Sequence, residues 1–398
     1  MKFYDRYLSD FICYLLFFAW FPFVAIKLNA GWGPALSGSL LTAIAAVGVA
    51  IGIFSGHFAD RYGKRPLLLL VFTGYVLAQI MFLLSAVGHN LLLHFLAFGL
   101  MSWSFSVYFP ISKSLIADIA QEREWKSLYA TLHVIFNICV VLGPLLGGLL
   151  LPDSVWLPTT CLVLALVNLL TNARMLKADV RTIPAAPRQN AFKTFYHLMK
   201  DYRLTLFIIG SVLAAQAFMQ MELLLPLVIN HQDLNYPLPW GGYTLNSVNI
   251  FTLCLAFNGI LIVLFTRLFA RLSNHYSLTT AFVLSGILYA GSMLFFGYSS
   301  TFIGLLLGVI ILTCAELLVV SVQDSFIAQI STPENRSGYF AAASIRFSIS
   351  RIFAPQMIII AGMLGFSLAF VFVAVLAFCS SLVFFGLFTR LNQNLVYE

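Results

Sequence analysis

Residues 56–66 read Gly-His-Phe-Ala-Asp-Arg-Tyr-Gly-Lys-Arg-Pro, a short polar segment between two long apolar runs. The run before it, roughly 35–55, is almost wholly apolar, and the run after it, roughly 67–87, carries no charge. Each run can cross a bilayer as a helix, which needs about 20 apolar residues. The segment itself combines two glycines that permit a tight turn, three cations that favour the cytoplasm, and a single acid, Asp60. It therefore predicts a membrane hairpin whose loop has a mechanical role.

The composition is that of a polytopic membrane protein. Hydrophobic residues make up 61% of the 398 residues and charged residues only 9%, whereas a soluble domain is about a quarter charged. The net charge of +7 lies in alternate loops, as membrane topology requires, so we expect no nucleic acid partner. The six cysteines fall inside apolar runs without metal-ligand spacing, and no phosphate-binding loop is present. We therefore expect no metal, no cofactor and no enzymatic activity.

The apolar runs predict an all-α fold of twelve transmembrane helices in two pseudo-symmetric six-helix bundles. Strands are not expected, because the runs are too long for barrel strands. The pattern Glu-x-Lys-Ser-x-Tyr at 124–129 recurs as Glu-x-Arg-Ser-x-Tyr at 334–339, which indicates a repeat. The predicted spans are 10–28, 35–58, 66–87, 91–117, 127–150, 154–174, 204–229, 244–268, 278–298, 301–328, 338–362 and 365–389.

The loop charges predict the orientation and the domain division. Cations, Arg6 among them, precede the first span and follow the second, fourth, eighth, tenth and twelfth, whereas the intervening loops carry only Lys27. Both termini should therefore be cytoplasmic. We predict an N-terminal bundle over 1–175, a cytoplasmic linker over 176–203 and a C-terminal bundle over 204–398.

The polar segment between the second and third spans resembles the signature loop of the major facilitator superfamily. The resemblance covers essentially the whole chain and implies that an acid–base network latches the two halves together on the cytoplasmic side. The alternative is that these charges only set topology. The residues that the resemblance assigns to the latch are Gly56, Asp60, Arg61, Gly63, Lys64, Arg65 and Asp118.

A second motif lies in the fifth span, where Gly143-Pro144-Leu145-Leu146-Gly147-Gly148 resembles the G-P-x-x-G-G motif of the proton-driven antiporters of this superfamily. Its glycines allow a neighbouring helix to approach closely, and Pro144 removes a backbone donor. Ordinary small-residue helix packing is the alternative interpretation.

Ionisable residues inside the spans are candidates for function, because a charge in hydrocarbon is costly. Glu222 and Glu316 are predicted to carry protons, since burial favours a neutral carboxyl group. Arg351 needs an acid, and we expect Glu316 to be its partner, although it could also bind an anionic substrate. Members of the family usually carry an arginine in the fourth span, but Phe98 stands at that position here. We therefore expect the two glutamates to couple proton movement to transport, with Asp10 as a third candidate for this role. Residues predicted to meet the substrate are His133, Asn137, Gln220, Glu222, Glu316 and Arg351.

Together these features resemble the twelve-helix drug–proton antiporters of the bacterial inner membrane. The resemblance implies a monomeric, proton-coupled secondary transporter, surrounded by lipid, that exports lipophilic or cationic small molecules by alternating access. Two alternatives stay open within transport: a proton-coupled exporter of an anionic metabolite such as a siderophore, and a symporter. A receptor or scaffold with this fold is a further alternative from another class.

Overall fold

The computed structural model describes residues 3–119, 125–150, 154–175, 198–237, 244–272, 275–320, 322–331 and 336–396. The chain forms two compact units, Met1–Ala186 and Pro187–Glu398. Most of the predicted linker, residues 176–197, lies outside the described residues. Each unit is a helical bundle with its own core.

The described part of the N-terminal unit consists of helices. A break at Gly33, whose φ of 77° and ψ of 170° lie outside the helical region, divides α1 into two segments. Glycine tolerates such a positive φ, and Pro34 follows at the start of the second segment. This break lies between the first and second predicted spans. The helices are α1 Phe3–Tyr62, α2 Lys64–Gly88, α3 Leu91–Ile119, α4 Trp125–Leu150 and α5 Trp156–Met175.

Aromatic side chains of α1 form the core of the N-terminal unit. Phe17 stacks on Phe105 of α3 with ring centroids 4.2 Å apart, and Trp20 stacks on Phe82 of α2 at 3.9 Å. The indole of Trp20 also donates a hydrogen bond to Gln79, at 2.9 Å. Helix α1 therefore packs against α2 and α3 through large aromatic rings, and the indole N–H of Trp20 has a hydrogen-bond partner.

The C-terminal unit is also helical, but it contains a short β-hairpin. Its two strands, of two residues each, pair antiparallel in the connection between α6 and α7 and not within an apolar span. The elements are α6 Tyr202–His231, β1 Tyr236–Pro237, β2 Thr244–Leu245, α7 Ser247–Leu272, α8 Leu278–Tyr298, α9 Phe302–Val320, α10 Gln323–Ile330, α11 Arg336–Phe353, α12 Gln356–Leu364 and α13 Phe366–Val396.

The predicted span 338–362 is two helices rather than one. Helix α11 ends at Phe353, and α12 begins at Gln356, with a turn at Ala354 and Pro355. Proline has no N–H and its ring clashes with the carbonyl four residues earlier, so it interrupts a helix. The interruption places the Ala354 carbonyl, three residues after Arg351, where the Gln220 side chain donates to it at 3.3 Å.

The N-terminal start of α6 is fixed by a polar cluster. Asp201 caps the helix by accepting a hydrogen bond from the Arg203 backbone N–H, and its carboxylate also accepts from the Arg203 guanidinium, at 2.8 Å. Tyr339 of α11 donates a third bond to this carboxylate, at 2.7 Å. Burial alone would raise the pKa of Asp201, but the bonds from Arg203 and Tyr339 outweigh it and hold the pKa below its usual value. The cluster ties α11 to α6 at this end.

Length and apolar composition make ten segments of the described chain able to cross a membrane. One of them, Arg6–Gly52, contains the break at Gly33, and a shorter apolar helix covers Val134–Leu150. Large apolar side chains are widely exposed, for example Leu149 at 78% and Val263 at 71%. A water-soluble monomer does not expose so much apolar surface. The chain is therefore an all-α multi-pass membrane protein; the count of twelve spans stays a prediction.

Candidate functional site

The predicted coupling residues lie on three helices of the C-terminal unit. Glu222 is on α6 and Glu316 is on α9, and both side chains are half-buried. Arg351 is on α11, two residues before that helix ends, and its side chain is exposed. The three residues are far apart in sequence. In the structure, the Glu222 carboxylate interacts electrostatically with both Arg351 and Glu316. We call Glu222, Glu316, Arg351 and the adjacent Asn258 the carboxylate site.

The structure gives Arg351 a different acid from the one that the sequence predicted. The carboxylate that acts on Arg351 is Glu222, and Glu316 has no such interaction with it among the described residues. The expected pairing of Arg351 with Glu316 is therefore wrong. Glu222 and Arg351 attract each other, but the described residues contain no direct ion pair between them. Which carboxylate acts on Arg351 depends on how each helix is rotated about its axis and how deep each residue lies in the bundle, and the sequence gives neither.

Neutral oxygen and amide groups surround Glu316 instead of a cation. Asn258 of α7 forms a hydrogen bond with the Glu316 carboxylate and donates another to Thr313, at 2.9 Å. The second carboxylate oxygen, Oε2, is buried and has no hydrogen-bond partner among the described residues. A buried acceptor without a donor is rare in native proteins and usually indicates a missing water or ion.

Two glutamines of α6 hold the interrupted end of α11. The side-chain amides of Gln216 and Gln220 donate to the backbone carbonyls of Ser350 and Ala354, at 3.4 and 3.3 Å. Gln216 and Gln220 are one helical turn apart on α6, and their partners Ser350 and Ala354 are also four residues apart, with Ala354 in the turn after α11. This contact positions Arg351, which lies between the two carbonyls in sequence. The side-chain oxygens of both glutamines are buried and without a partner among the described residues, so Gln220 keeps a free acceptor.

The signature segment is more helical than predicted. Helix α1 continues to Tyr62 and α2 begins at Lys64, so Gly63 alone separates them. Its φ of 87° turns the chain, and its N–H donates to the Ala59 carbonyl, at 3.0 Å. The expectation of a loop over 56–66 is therefore wrong. Lys64 and Arg65 are half-buried in the first turn of α2. The side chains of Asp60, Arg61 and Asp118 lie outside the described residues, as does any detail of Gly56, so the latch stays a prediction.

The antiporter motif lies where α4 meets α1. A methyl group added at Gly143 would lie 2.5 Å from Cβ of Phe18, and one at Gly147 would collide with the Ala19 carbonyl and the Phe23 ring. Pro144 and Gly148 are buried beside them. The two glycines thus allow the close helix approach that the sequence indicated. Of the other predicted site residues, Asn137 is half-buried on α4, and the side chain of His133 lies outside the described residues.

Sequence reasoning assigned Arg6 to topology, but the structure places it in a buried polar network. The side chains of Arg6 and Asp10 are both fully buried, and the guanidinium Nη2 lies 3.1 Å from the carboxylate Oδ1. The i, i+4 spacing of opposite charges in an apolar helix was the available signal. Arg6 is therefore not a solvated loop cation.

These features identify a multi-pass helical bundle with buried carboxylates, the class of a secondary transporter. The chain matches the Major Facilitator Superfamily over residues 7–355 and belongs to that family. It is therefore a secondary transporter of this family, which is a family of transporters and not of enzymes.

The chain is similar to a cation–proton antiporter and to multidrug resistance proteins. The chain is 31% identical to a Na(+), Li(+), K(+)/H(+) antiporter of Planococcus maritimus over 98% of this chain and 96% of the relative. It is 25% identical to the multidrug resistance protein MdtH of Yersinia enterocolitica over 56% of this chain and 55% of the relative. A solved POT family transporter in complex with a thioalcohol-conjugated peptide has a TM-score of 0.79 at 12% identity, covering 98% of this chain and 96% of that one. The predicted family is confirmed, and the relatives agree with its drug–proton antiporter group.

Proposed function

We propose that this protein is a proton-coupled antiporter that exports cations, with protons and the cation competing for the carboxylate site. The observation that carries the proposal is a set of buried side-chain oxygens that lack a donor among the described residues: Oε2 of Glu316 in the carboxylate site, and the oxygens of Gln216 and Gln220 on α6, the helix that also carries Glu222. All three are acceptors, and a cation satisfies acceptors, whereas an anion does not. Carboxylate and amide oxygens are also ligands suited to hard cations.

Two carboxylates on separate helices support the coupling. Glu222 and Glu316 act on each other electrostatically, so two negative charges in one apolar region disfavour each other unless a cation or proton neutralises one. A bound cation and a bound proton are then alternatives. Exchange follows when the site opens to opposite sides of the membrane in turn, because the proton gradient sets which occupant enters from which side.

The class of cation is proposed from the relatives. The Planococcus maritimus antiporter carries sodium, lithium and potassium in its name, so we propose these ions as substrates. Lipophilic organic cations are the second candidate, favoured by the MdtH relatives. Export of an anionic metabolite through Arg351 has less support, because Glu222 already faces that cation.

The orientation and surroundings of the protein are part of this proposal. Alternate loop charge supports cytoplasmic termini and a cytoplasmic linker. We propose a monomer in a bacterial inner membrane, with bundles over 1–175 and 204–398.

Proton movement in proteoliposomes tests the proposal. An imposed acid-inside gradient should collapse when sodium, lithium, potassium or a cationic dye is added outside, as followed by a pH-sensitive dye. Glu316→Gln and Glu222→Gln should each lower this proton efflux by ~10-fold or more, since a neutral amide can neither release a proton nor balance a cation, and ~1.4 kcal/mol is already a factor of ten.

Asp233→Asn is the matched control. Asp233 is exposed in the turn after α6 and has a φ of 46°, which asparagine also tolerates. The control should transport like the wild type. Proton efflux driven by an organic anion and by none of the cations would contradict the proposal, as would full cation exchange by both glutamine variants.

A further inference from the structure

Two glutamines of α6 present buried oxygens of fixed orientation. Gln216 and Gln220 are 3% and 0% exposed, and their amide nitrogens donate to the carbonyls of Ser350 and Ala354. A carbonyl accepts only from a donor, so each nitrogen must face α11 and each Oε1 must turn away from the carbonyl that its amide contacts. Neither Oε1 has a hydrogen-bond partner among the described residues. Two unused acceptors therefore lie one helical turn apart on α6.

The end of α11 adds further oxygens beside these amides. The final carbonyls of a helix have no partner within it and form the negative end of its dipole. Here Pro355 has no N–H, so the Arg351 carbonyl lacks the donor that the fourth residue onward normally supplies. The Ser350 hydroxyl is fully buried and donates to the Arg346 carbonyl, at 2.7 Å, which leaves its lone pairs able to accept. We call Gln216, Gln220, Ser350 and the end of α11 the amide site.

The amide site is separate from the carboxylate site, although α6 contributes to both. Glu222 follows Gln220 by two residues, which is a rotation of about 200° around an α-helix. The carboxylate therefore leaves the opposite face of α6, where it interacts with Arg351 and Glu316. Amide, hydroxyl and backbone oxygens do not titrate at physiological pH. A ligand of the amide site consequently does not compete with a proton there.

The chemistry of these oxygens selects a monovalent cation. An anion needs donors, whereas the amide site offers acceptors. A divalent ion would keep its whole charge in an apolar bundle, because neutral oxygens cancel none of it and buried charge is costly. Neutral carbonyl oxygens replace the hydration shell of potassium in channels. Lithium is smaller and holds its water more tightly, so potassium is the alkali ion that fits best.

We propose that the amide site binds one potassium ion, which joins α6 to the end of α11 and which protons do not displace. The inference deepens the proposed function and rests on it for the class of occupant. The exporter then has two kinds of cation site: protons compete for the carboxylate site, but not for the amide site. The bound ion satisfies the oxygens of Gln216 and Gln220 and stabilises the contact that positions Arg351.

Thermal unfolding in detergent tests the proposal with the carboxylates removed. The Glu222→Gln, Glu316→Gln variant keeps every member of the amide site. Replacing choline chloride with potassium chloride at constant ionic strength should raise its Tm by roughly 3–6 °C when potassium is at about ten times its Kd. Because no member of the site titrates, the rise should be equal in mild acid and in mild base. Lithium chloride should produce a smaller rise.

Two further substitutions locate the effect. Gln220→Leu, added to that variant, removes one ligand with a side chain of similar size and should abolish most of the rise. Gln329→Leu is the matched control, because Gln329 is an exposed glutamine of α10, and it should leave the rise intact.

Equal Tm values in potassium and choline for the Glu222→Gln, Glu316→Gln variant would overturn the proposal. A rise that Gln220→Leu leaves intact, or a larger rise in lithium than in potassium, would overturn it as well. Failure of the proposed function gives a different result: wild-type protein whose Tm rises with potassium but which exchanges no cation for protons in proteoliposomes.

Discussion

Gly143→Ala tests the closest helix contact in the N-terminal unit. The added methyl group would lie 2.5 Å from Cβ of Phe18, 2.8 Å from the Phe18 carbonyl carbon and 2.9 Å from the Ala19 backbone nitrogen. Two of these atoms belong to the α1 backbone, so no side-chain rotation can relieve the overlap. Carbon atoms in contact are about 3.5–4.0 Å apart. Helices α1 and α4 must therefore separate by roughly 1 Å.

The expected destabilisation follows from this separation. Overpacking a core by one methyl group costs about 1–3 kcal/mol, and a gap of ~1 Å forfeits up to half of the attraction of each separated contact. A loss of about 2 kcal/mol lowers the Tm of a unit of this size by roughly 4–8 °C. Proton-coupled exchange should fall as well, because α1 would no longer pack against α4 and α3 as it does in the wild type.

Thermal unfolding in detergent and exchange in proteoliposomes measure these effects. Gly386→Ala is the matched control: Gly386 lies in the apolar helix α13, and an added methyl group would meet nothing within 4 Å. The control should keep or slightly raise the Tm, since alanine favours helix over glycine by about 1 kcal/mol. Equal Tm values for Gly143→Ala and Gly386→Ala would refute the close approach of α4 to α1.

Two further predictions concern the signature segment and the start of α6. Asp60→Asn should impair transport while substrate binding persists, because the predicted latch acts on the conformational equilibrium and not on the substrate site. Wild-type transport by this variant at matched expression would contradict the latch and leave the signature segment with a role in topology only. Asp201→Asn should lower the Tm slightly at neutral pH, because the amide can still cap α6 but no longer carries the charge that pairs with Arg203, a partly exposed ion pair worth roughly 0.2–1 kcal/mol. Since the pKa of Asp201 is depressed in the folded state, its stabilisation is present above the unfolded pKa of about 3.9 and is lost as the pH falls through the folded pKa. A Tm difference that persists unchanged in acid would contradict this assignment.

The sequence was sufficient for the family, and it marked Glu222 and Glu316 as candidates whose role stays a proposal. The signature segment and the glycine motif identified the family, and buried charge identified Glu222 and Glu316, because carboxylates are rare in apolar spans. The sequence did not predict the single-residue turn at Gly63. Its polar composition indicated a loop, whereas α1 continues to Tyr62 and α2 begins at Lys64.

The sequence by itself determined which segments are helical and apolar, because backbone groups in lipid must be satisfied within the helix and hydrophobicity marks the spans. Tertiary structure alone decided which side chains meet. A helical period places Arg351 on one face of α11 but does not say that Glu222 rather than Glu316 lies opposite. Likewise, a cation at the start of a span can reach the surface or turn inward, and only the packing of α1 against α3 buried the Arg6–Asp10 pair beside Tyr108 and Ser112. Helices in a membrane associate through close packing and hydrogen bonds without a hydrophobic force to order them, so their partners follow from three-dimensional fit.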